Sequence, residues 1–215
     1  KMQLPTGWGV EQQITCVDGS TFQMYMANMK SIFMDMIKNT DMVIFNRCKK
    51  EDPLPTYRRG IKVANQRAEV IFEDEEGELG DIFQDEMPFD MNAPVIEILP
   101  EDYGIWFVDA MDHPENYEGK TVKFKARVMK PRGMGSKFFV PGRTAMTCCA
   151  DDTTFLGYVC KSAYAPKLTP GEWVEVTAKV GIERRNEYQG EEGIVLAAEH
   201  VEQCDPLEDE MVYFN

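Results

Sequence analysis

Asp41-Met42-Val43-Ile44-Phe45-Asn46-Arg47 is an apolar strand that ends in two polar residues. A helix-patterned segment precedes it and a second one follows. In an open α/β sheet, ligands bind outside the carboxyl ends of the buried strands. An asparagine there can hydrogen-bond a purine, and the aliphatic stem of Arg47 can cover the face of the base. The phosphate-holding counterpart is missing: no G-x-x-x-x-G-K-[ST] loop occurs in the 215 residues.

Working outward, residues 13–17 (QITCV) form a short β-type run closed by Asp18-Gly19-Ser20, whose side-chain oxygens suit a helix N-cap. From residue 21 to 39, Phe22, Tyr25, Met26, Met29, Ile32, Phe33, Met36 and Ile37 recur at helical steps, which predicts one helix with a Met-rich core-facing stripe. Pro53 and Pro55 suit a loop and a helix start, residues 56–64 a short basic helix, and residues 68–72 (AEVIF) a third strand. Strand–helix–strand–helix–strand implies a parallel sheet with right-handed crossovers.

After His113-Pro114, which reads as a turn, the pattern changes. Alternating segments at 121–129, 138–149, 154–160, 173–182 and 193–201 are separated by Gly- and Pro-containing turns. Five such strands predict a small antiparallel barrel of the OB type. The predicted division is 1–90 as a partial α/β domain, 91–116 as a connecting segment and 117–215 as the barrel.

The formal charge of −14 is uneven. Residues 1–116 carry 10 Lys+Arg against 22 Asp+Glu, and the excess concentrates between Glu69 and Asp90; residues 117–215 carry 13 against 15. An acidic chain repels phosphates, so nucleic acid is not the expected partner. Lys123, Lys125, Arg127, Lys130 and Arg132 along the first barrel strand, and Arg184-Arg185-Asn186 with Tyr188 in a loop, are the elements that would serve such a partner. No apolar run is long enough to insert in a membrane and no secretory signal is visible, so a cytoplasmic location is expected.

Six cysteines show no disulfide-framework spacing. Cys148 and Cys149 are adjacent near the end of a strand. They can share one metal only if the strand ends or bulges there, since successive side chains point to opposite faces. With Cys160, His200 and Cys204 as weaker candidates, the set suits zinc or another soft metal. Buried, unreactive thiols are the simpler reading. Asp151-Asp152 reads as a solvated turn, and no nucleophile stands beside His200 at a diagnostic spacing, so no catalytic residue is assigned.

Two resemblances organise these observations. Leu4-Pro5-Thr6-Gly7-Trp8, the strand ending at Asp18 with Ser20-Thr21-Phe22, the strand ending at Asn46, and Asn65-Gln66-Arg67-Ala68 resemble the later part of the nucleotide-binding domain of CobW-like GTPases, a P-loop family associated with metal handling. The family's base-recognition motif is Asn-Lys-x-Asp. Asn46 matches its first position, Arg47 replaces the Lys, and Lys49 stands where the guanine-selecting Asp belongs. Tyr117-x-Gly119-Lys120-x-Val122, Gly142-Arg143 and Thr147-Cys148-Cys149-Ala150-Asp151, with Trp173-Val174 and Pro206…Tyr213, resemble the YcgQ-like proteins found beside predicted membrane permeases.

Together these imply an accessory portion of a CobW-like nucleotide-dependent metal-trafficking protein, with Asn46 and Arg47 at the base and a cysteine-bearing barrel facing a metal or a metal-receiving partner. GTP and Mg²⁺ enter only with an upstream phosphate loop, and the chain alone is expected to be inactive. The alternative is a non-enzymatic protein-docking module, in the setting of a permease; a single-stranded nucleic-acid module ranks third.

Overall fold

The computed structural model describes residues 5–80, 87–149 and 152–214, the side chains of Cys148 and Cys149 excepted. The chain divides between Asp85 and Glu86 into two compact units, with the segment Thr147–Asp152 grouped with the first.

The first unit is the α/β one. β1 (Ile14–Asp18), α1 (Gly19–Asn28), α2 (Lys30–Ile37), β2 (Met42–Asn46), α3 (Leu54–Ala64) and β3 (Glu69–Phe72) follow in order. The strands form a three-stranded sheet in the order β1-β2-β3, parallel throughout, as the alternation of elements predicts. Sheet order equals chain order, so two successive right-handed crossovers lay their helices on the same face. Phe22 of α1 accordingly meets Phe33 of α2, Phe45 of β2 and Tyr57 of α3, with ring centroids 4.6–5.3 Å apart. Val43, Phe45, Ile37, Leu54 and Ile61 complete this core.

The register puts Cys16, Ile44 and Ile71 side by side on the opposite face. Cys16 is exposed, and Ile44 and Ile71 are only half-buried. Parallel sheets normally carry cover on both faces; among the described residues the helices of this unit lie on one.

Residues 21–39 do not form the single predicted helix. The chain breaks at Met29 (φ −138°, ψ 30°), and α2 restarts with a new phase that buries Phe33, Met34 and Ile37. Half of the expected core stripe therefore faces outward, with Tyr25, Met29, Ile32 and Met36 all exposed.

The second unit contains β4 (Ile96–Glu97), α4 (Tyr103–Asp112), β5 (Thr121–Met129), β6 (Phe138–Cys149), β7 (Asp152–Gly157), β8 (Val159–Lys161), β9 (Trp173–Arg184), β10 (Glu192–Gln203) and β11 (Met211–Val212). Five of these close on themselves: β5 pairs β6, β6 pairs β8, β8 pairs β10, β10 pairs β9, and β9 returns to β5. Only the β8–β10 contact is parallel within that ring. This is a closed five-stranded barrel with OB-like connectivity. β4, β7 and β11 are additions at its margins.

Strict alternation on β5 buries Val122, Phe124, Ala126 and Val128 and turns Lys123, Lys125 and Arg127 outward. Residues 154–160 are divided between β7 and β8 rather than forming one strand. Between the two, Tyr158 buries its ring against Phe107 and donates its hydroxyl proton to the Phe107 carbonyl. Gly142 is required where β6 crosses β7, because a Cβ there would stand 2.3 Å from the Leu156 carbonyl oxygen.

Residues 91–116 are not a bare connector. β4 extends the barrel sheet beside β5, and α4 buries Tyr103, Trp106 and Phe107, with Trp106 4.9 Å from the Phe124 ring. His113 closes α4 in the predicted turn, its N–H bonded to the Asp109 carbonyl.

Arg143 of β6 is 2% exposed and forms no ion pair among the described residues, though the Asp209 and Glu101 charges act on it. Its guanidinium donates instead to the Pro100, Asp209 and Met211 carbonyls, tying the start of α4 and the approach to β11 to the barrel. Burial holds the Arg143 pKa below its usual value, and its Nε has no partner among the described residues.

Candidate functional site

The carboxyl edge of the parallel sheet gathers Asp18, Asn46 and Arg47. β1 and β2 end in register, Asp18 opposite Asn46. Asp18 caps α1, accepting from the Ser20 N–H at 3.0 Å and from the Ser20 hydroxyl at 2.6 Å. It also pairs with Arg47 at 2.9 Å. The Ser20 hydroxyl, and after it the Arg47 guanidinium, hold the Asp18 carboxyl below its usual pKa, so it stays ionised.

Arg47 takes a left-handed backbone conformation (φ 55°), which turns the chain sharply off the end of β2. Its side chain remains largely exposed. Cys48 then folds back beneath the edge. Its N–H bonds to the Glu73 carbonyl, and burial pushes its thiol up to about 11. Gly19 allows this close approach, since a Cβ there would lie 2.9 Å from the Cys48 sulfur and 3.1 Å from the Asn46 carbonyl oxygen.

Asn46 itself is exposed, and its carboxamide makes no hydrogen bond among the described residues. It stands at the tip of the central strand with its donors and acceptor available. Lys49 lies in the turn beyond, its backbone N–H taken by Asp52 Oδ2 at 2.7 Å. The guanine-selecting carboxylate is therefore absent from its expected position.

Asn65, singled out with Ala68 by the sequence resemblance, is placed elsewhere. Its Nδ2 donates to the Ile37 and Thr40 carbonyls at 2.8 Å each, and its Oδ1 accepts from the Arg67 N–H. It fastens the end of α2 to the end of α3.

Of the candidate metal ligands on the barrel, the three with described side chains, Cys160, His200 and Cys204, do not form a metal-holding group. Cys160 points into the packed interior, fully buried, with its thiol pushed up to about 12 by desolvation. His200 lies outside, exposed, with Nε2 3.3 Å from Glu202 Oε2. A register shift between Ala198 and His200 on β10 inserts an extra residue, which sets Val201 inward and His200 outward. Cys204 follows β10, half-buried, with a raised thiol pKa caused first by desolvation.

Cys148 and Cys149 occupy the end of β6, but their side chains fall outside the described residues, as does Asp151. Cys160 pairs with Phe139 at the other end of that strand, so up to about 30 Å of strand separates it from the cysteine pair. Among the described residues no group of three or more His, Cys, Asp or Glu is arranged to hold a metal ion.

The sequence profile of the DUF1980 C-terminal domain matches residues 78–214, which takes in β4, α4 and the whole barrel. The chain belongs to that family. No curated protein matches the chain. Solved structures similar to this DUF1980 C-terminal domain protein include the mitochondrial single-stranded DNA binding protein Rim1 of S. cerevisiae. Identity with it is 10%, over 41% of this chain and 97% of that one, with a TM-score of 0.25. A deletion mutant of the single-stranded DNA binding protein from Thermus aquaticus is 18% identical over 41% of this chain and 42% of that one, with a TM-score of 0.24. Aspartyl tRNA synthetase from Entamoeba histolytica is 14% identical over 55% and 27%, with a TM-score of 0.28. The barrel assignment rests on its own strand order. No helix of the described residues is long and apolar enough to cross a membrane.

Proposed function

We propose that the chain is an accessory portion of a CobW-like nucleotide-dependent metal-trafficking protein, with Asn46 and Arg47 as its base-reading edge. One observation carries this reading: Asn46 stands exposed, with no side-chain hydrogen bond among the described residues, at the carboxyl end of the central parallel strand. Ligands bind at that edge in open α/β sheets.

Asn46 can donate to and accept from a purine, and the Arg47 stem, steadied by Asp18, can lie against the ring. Phosphate and Mg²⁺ would have to be held by other residues, so the chain by itself does not turn nucleotide over. With Lys49 in the fourth motif position, guanine loses the acceptor for its N1 and N2 protons. Guanosine and adenosine nucleotides are then held about equally.

In this reading the cysteine-bearing end of β6 faces a metal or a metal-receiving protein, zinc or another soft metal being the cargo. Chemical-shift mapping with GDP and ADP at millimolar concentration tests the base site. Both should move the Asn46 carboxamide, Asn46→Ala should abolish the shifts, and Lys49→Asp should introduce a preference for GDP. An Asn46 carboxamide unmoved by either nucleotide defeats the reading.

A second reading, a protein-docking module, is favoured by the exposed apolar residues of the α/β unit. Trp8 is 75% exposed and Ile32 59%, and Ile14, Met24, Met29 and Met36 are also exposed. Metal analysis separates the two readings. Stoichiometric zinc that is lost in a Cys148→Ser, Cys149→Ser double variant supports metal handling. Metal-free protein whose stability is unchanged by the double substitution supports docking.

A further inference from the structure

The barrel mouth between the β5–β6 and β9–β10 loops contains a cavity of about 540 Å³, bordered by Arg132 on one side and by Arg184, Arg185, Asn186 and Glu187 on the other. That volume lies within the range of small-ligand sites. The cavity's own lining carries Arg132, Arg184 and Arg185 against Glu187, a local excess of cations, although the β9–β10 side adds Glu183, Glu191 and Glu192 nearby. The loop Lys130-Pro131-Arg132-Gly133-Met134-Gly135-Ser136-Lys137 carries three cations and no carboxylate, in a chain whose formal charge is −14.

The three arginines at the cavity are held differently. Arg185 is fixed: its guanidinium lies 4.4 Å from the Phe138 ring centroid, forms two hydrogen bonds to Glu187 (2.9 and 3.2 Å) and approaches Glu183 at 3.6 Å. Its side chain is only 17% exposed, which makes it a rigid planar platform rather than a free charge. Arg184 reaches Glu192 only at 3.9 Å, with both side chains about two-thirds exposed, a contact too screened to hold it. Arg132 is exposed and forms no ion pair among the described residues. Two disengaged guanidiniums thus flank a planar cation stacked on an aromatic ring.

We infer that this mouth binds single-stranded nucleic acid, with Arg132 and Arg184 on phosphates and a base laid beside the Arg185–Phe138 stack. OB-type barrels take oligonucleotides through the loops at this end, and stacking on a planar face tolerates any base. The chain's overall charge opposes non-specific binding, so affinity has to come from this local cluster. By contrast, Lys123 on the outer face of β5 is paired with Glu175 at 2.9 Å.

The test is fluorescence anisotropy of a labelled oligothymidylate 15-mer with the intact chain at 20 and 200 mM KCl. Two phosphate contacts to a single strand give a salt slope near −1.4, hence a loss of about 25-fold over that range. The Arg132→Ser, Arg184→Ser double variant should bind at least about tenfold more weakly at low salt. Arg132→Lys, Arg184→Lys should retain most of the binding, and Lys123→Ser should bind like the parent. No binding at 20 mM KCl, or binding indifferent to the serine pair, overturns the inference. So does full displacement by thymidine monophosphate at equal nucleotide concentration, because the cavity would then hold a free nucleotide.

Discussion

Replacing Arg143 by methionine keeps much of the side chain's volume while removing the guanidinium that spans the Pro100, Asp209 and Met211 carbonyls. A carbonyl left without a donor costs about 1–3 kcal/mol when fully buried; Pro100 and Asp209 are exposed and Met211 half-buried, so water can replace part of the loss. Three such losses set an upper bound of roughly 9 kcal/mol before any relaxation. Two further effects reduce that sum. The variant no longer buries a cation, a burial whose cost is visible in the depressed Arg143 pKa. The approach to β11 can also peel away and hydrate its own carbonyls.

The net loss should be about 3–4 kcal/mol, a large part of the ~5–15 kcal/mol that holds a domain folded. The change is readable by urea unfolding with tryptophan fluorescence, because Trp106 and Trp173 are both buried in the barrel unit. At a slope of about 2–3 kcal/mol per molar urea, the midpoint should fall by more than about 1 M. Arg143→Lys should recover less than half, since a single ammonium cannot reach three carbonyls in different directions. A methionine variant within about 1 kcal/mol of the parent, or a lysine variant equal to it, would refute the clamp.

Asn65→Ala removes the two bonds that fasten α2 to α3 and should cost the α/β unit about 2–3 kcal/mol in chemical denaturation; a loss below about 0.5 kcal/mol contradicts that role. Gly19→Ala forces a methyl against the Cys48 sulfur and the Asn46 carbonyl, so it should destabilise by about 1–3 kcal/mol and shift the Asn46 resonances. The buried thiols predict a pH dependence. Burial raises Cys48 to about 11 and Cys160 to about 12, above the ~8.5 of an unfolded thiol. The folded state therefore keeps protons that the unfolded state gives up, and stability is full below pH ~8.5 and falls as pH rises toward the folded values. Each thiol contributes a slope of about −1.4 kcal/mol per pH unit between roughly pH 9 and 10. Cys160→Ala should remove that thiol's share of the slope for the barrel unit, and an unchanged slope in that variant speaks against a buried neutral thiol.

Much of the architecture was legible because burial repeats at fixed steps. The bounds predicted for the strands at 121–129 and 138–149 coincide with β5 and β6; β5 alternates cleanly, and Gly119 and Gly133 mark the turns on either side of it. The parallel order of β1, β2 and β3 followed from alternation with helices, and Asn46 stands at the rim where that order put it.

Features that break a repeat were not legible. The break at Met29 lies among good helix formers with no Pro or Gly to announce it. The extra residue between Ala198 and His200 reverses the inward–outward phase set earlier on β10, so His200 faces outward although Leu196, four residues before it, faces inward. The apolar residues of α4 are nearly continuous, and a helix buried on most of its surface carries little periodic signal, so the segment looks like a connector in sequence. The Arg185–Phe138 stack joins residues 47 positions apart and depends on two loops meeting, which no local pattern encodes.

The two units also differ in how they end their hydrogen-bond ladders. The barrel ring returns to its own first strand, whereas β1 and β3 of the α/β sheet each pair on one side only among the described residues. Unsatisfied amides along a strand are templates for a neighbour's backbone. During storage at high concentration, fibrillar growth should therefore start from segments 14–18 and 69–72, and a lysine or proline placed there should lengthen shelf life more than any change in the barrel.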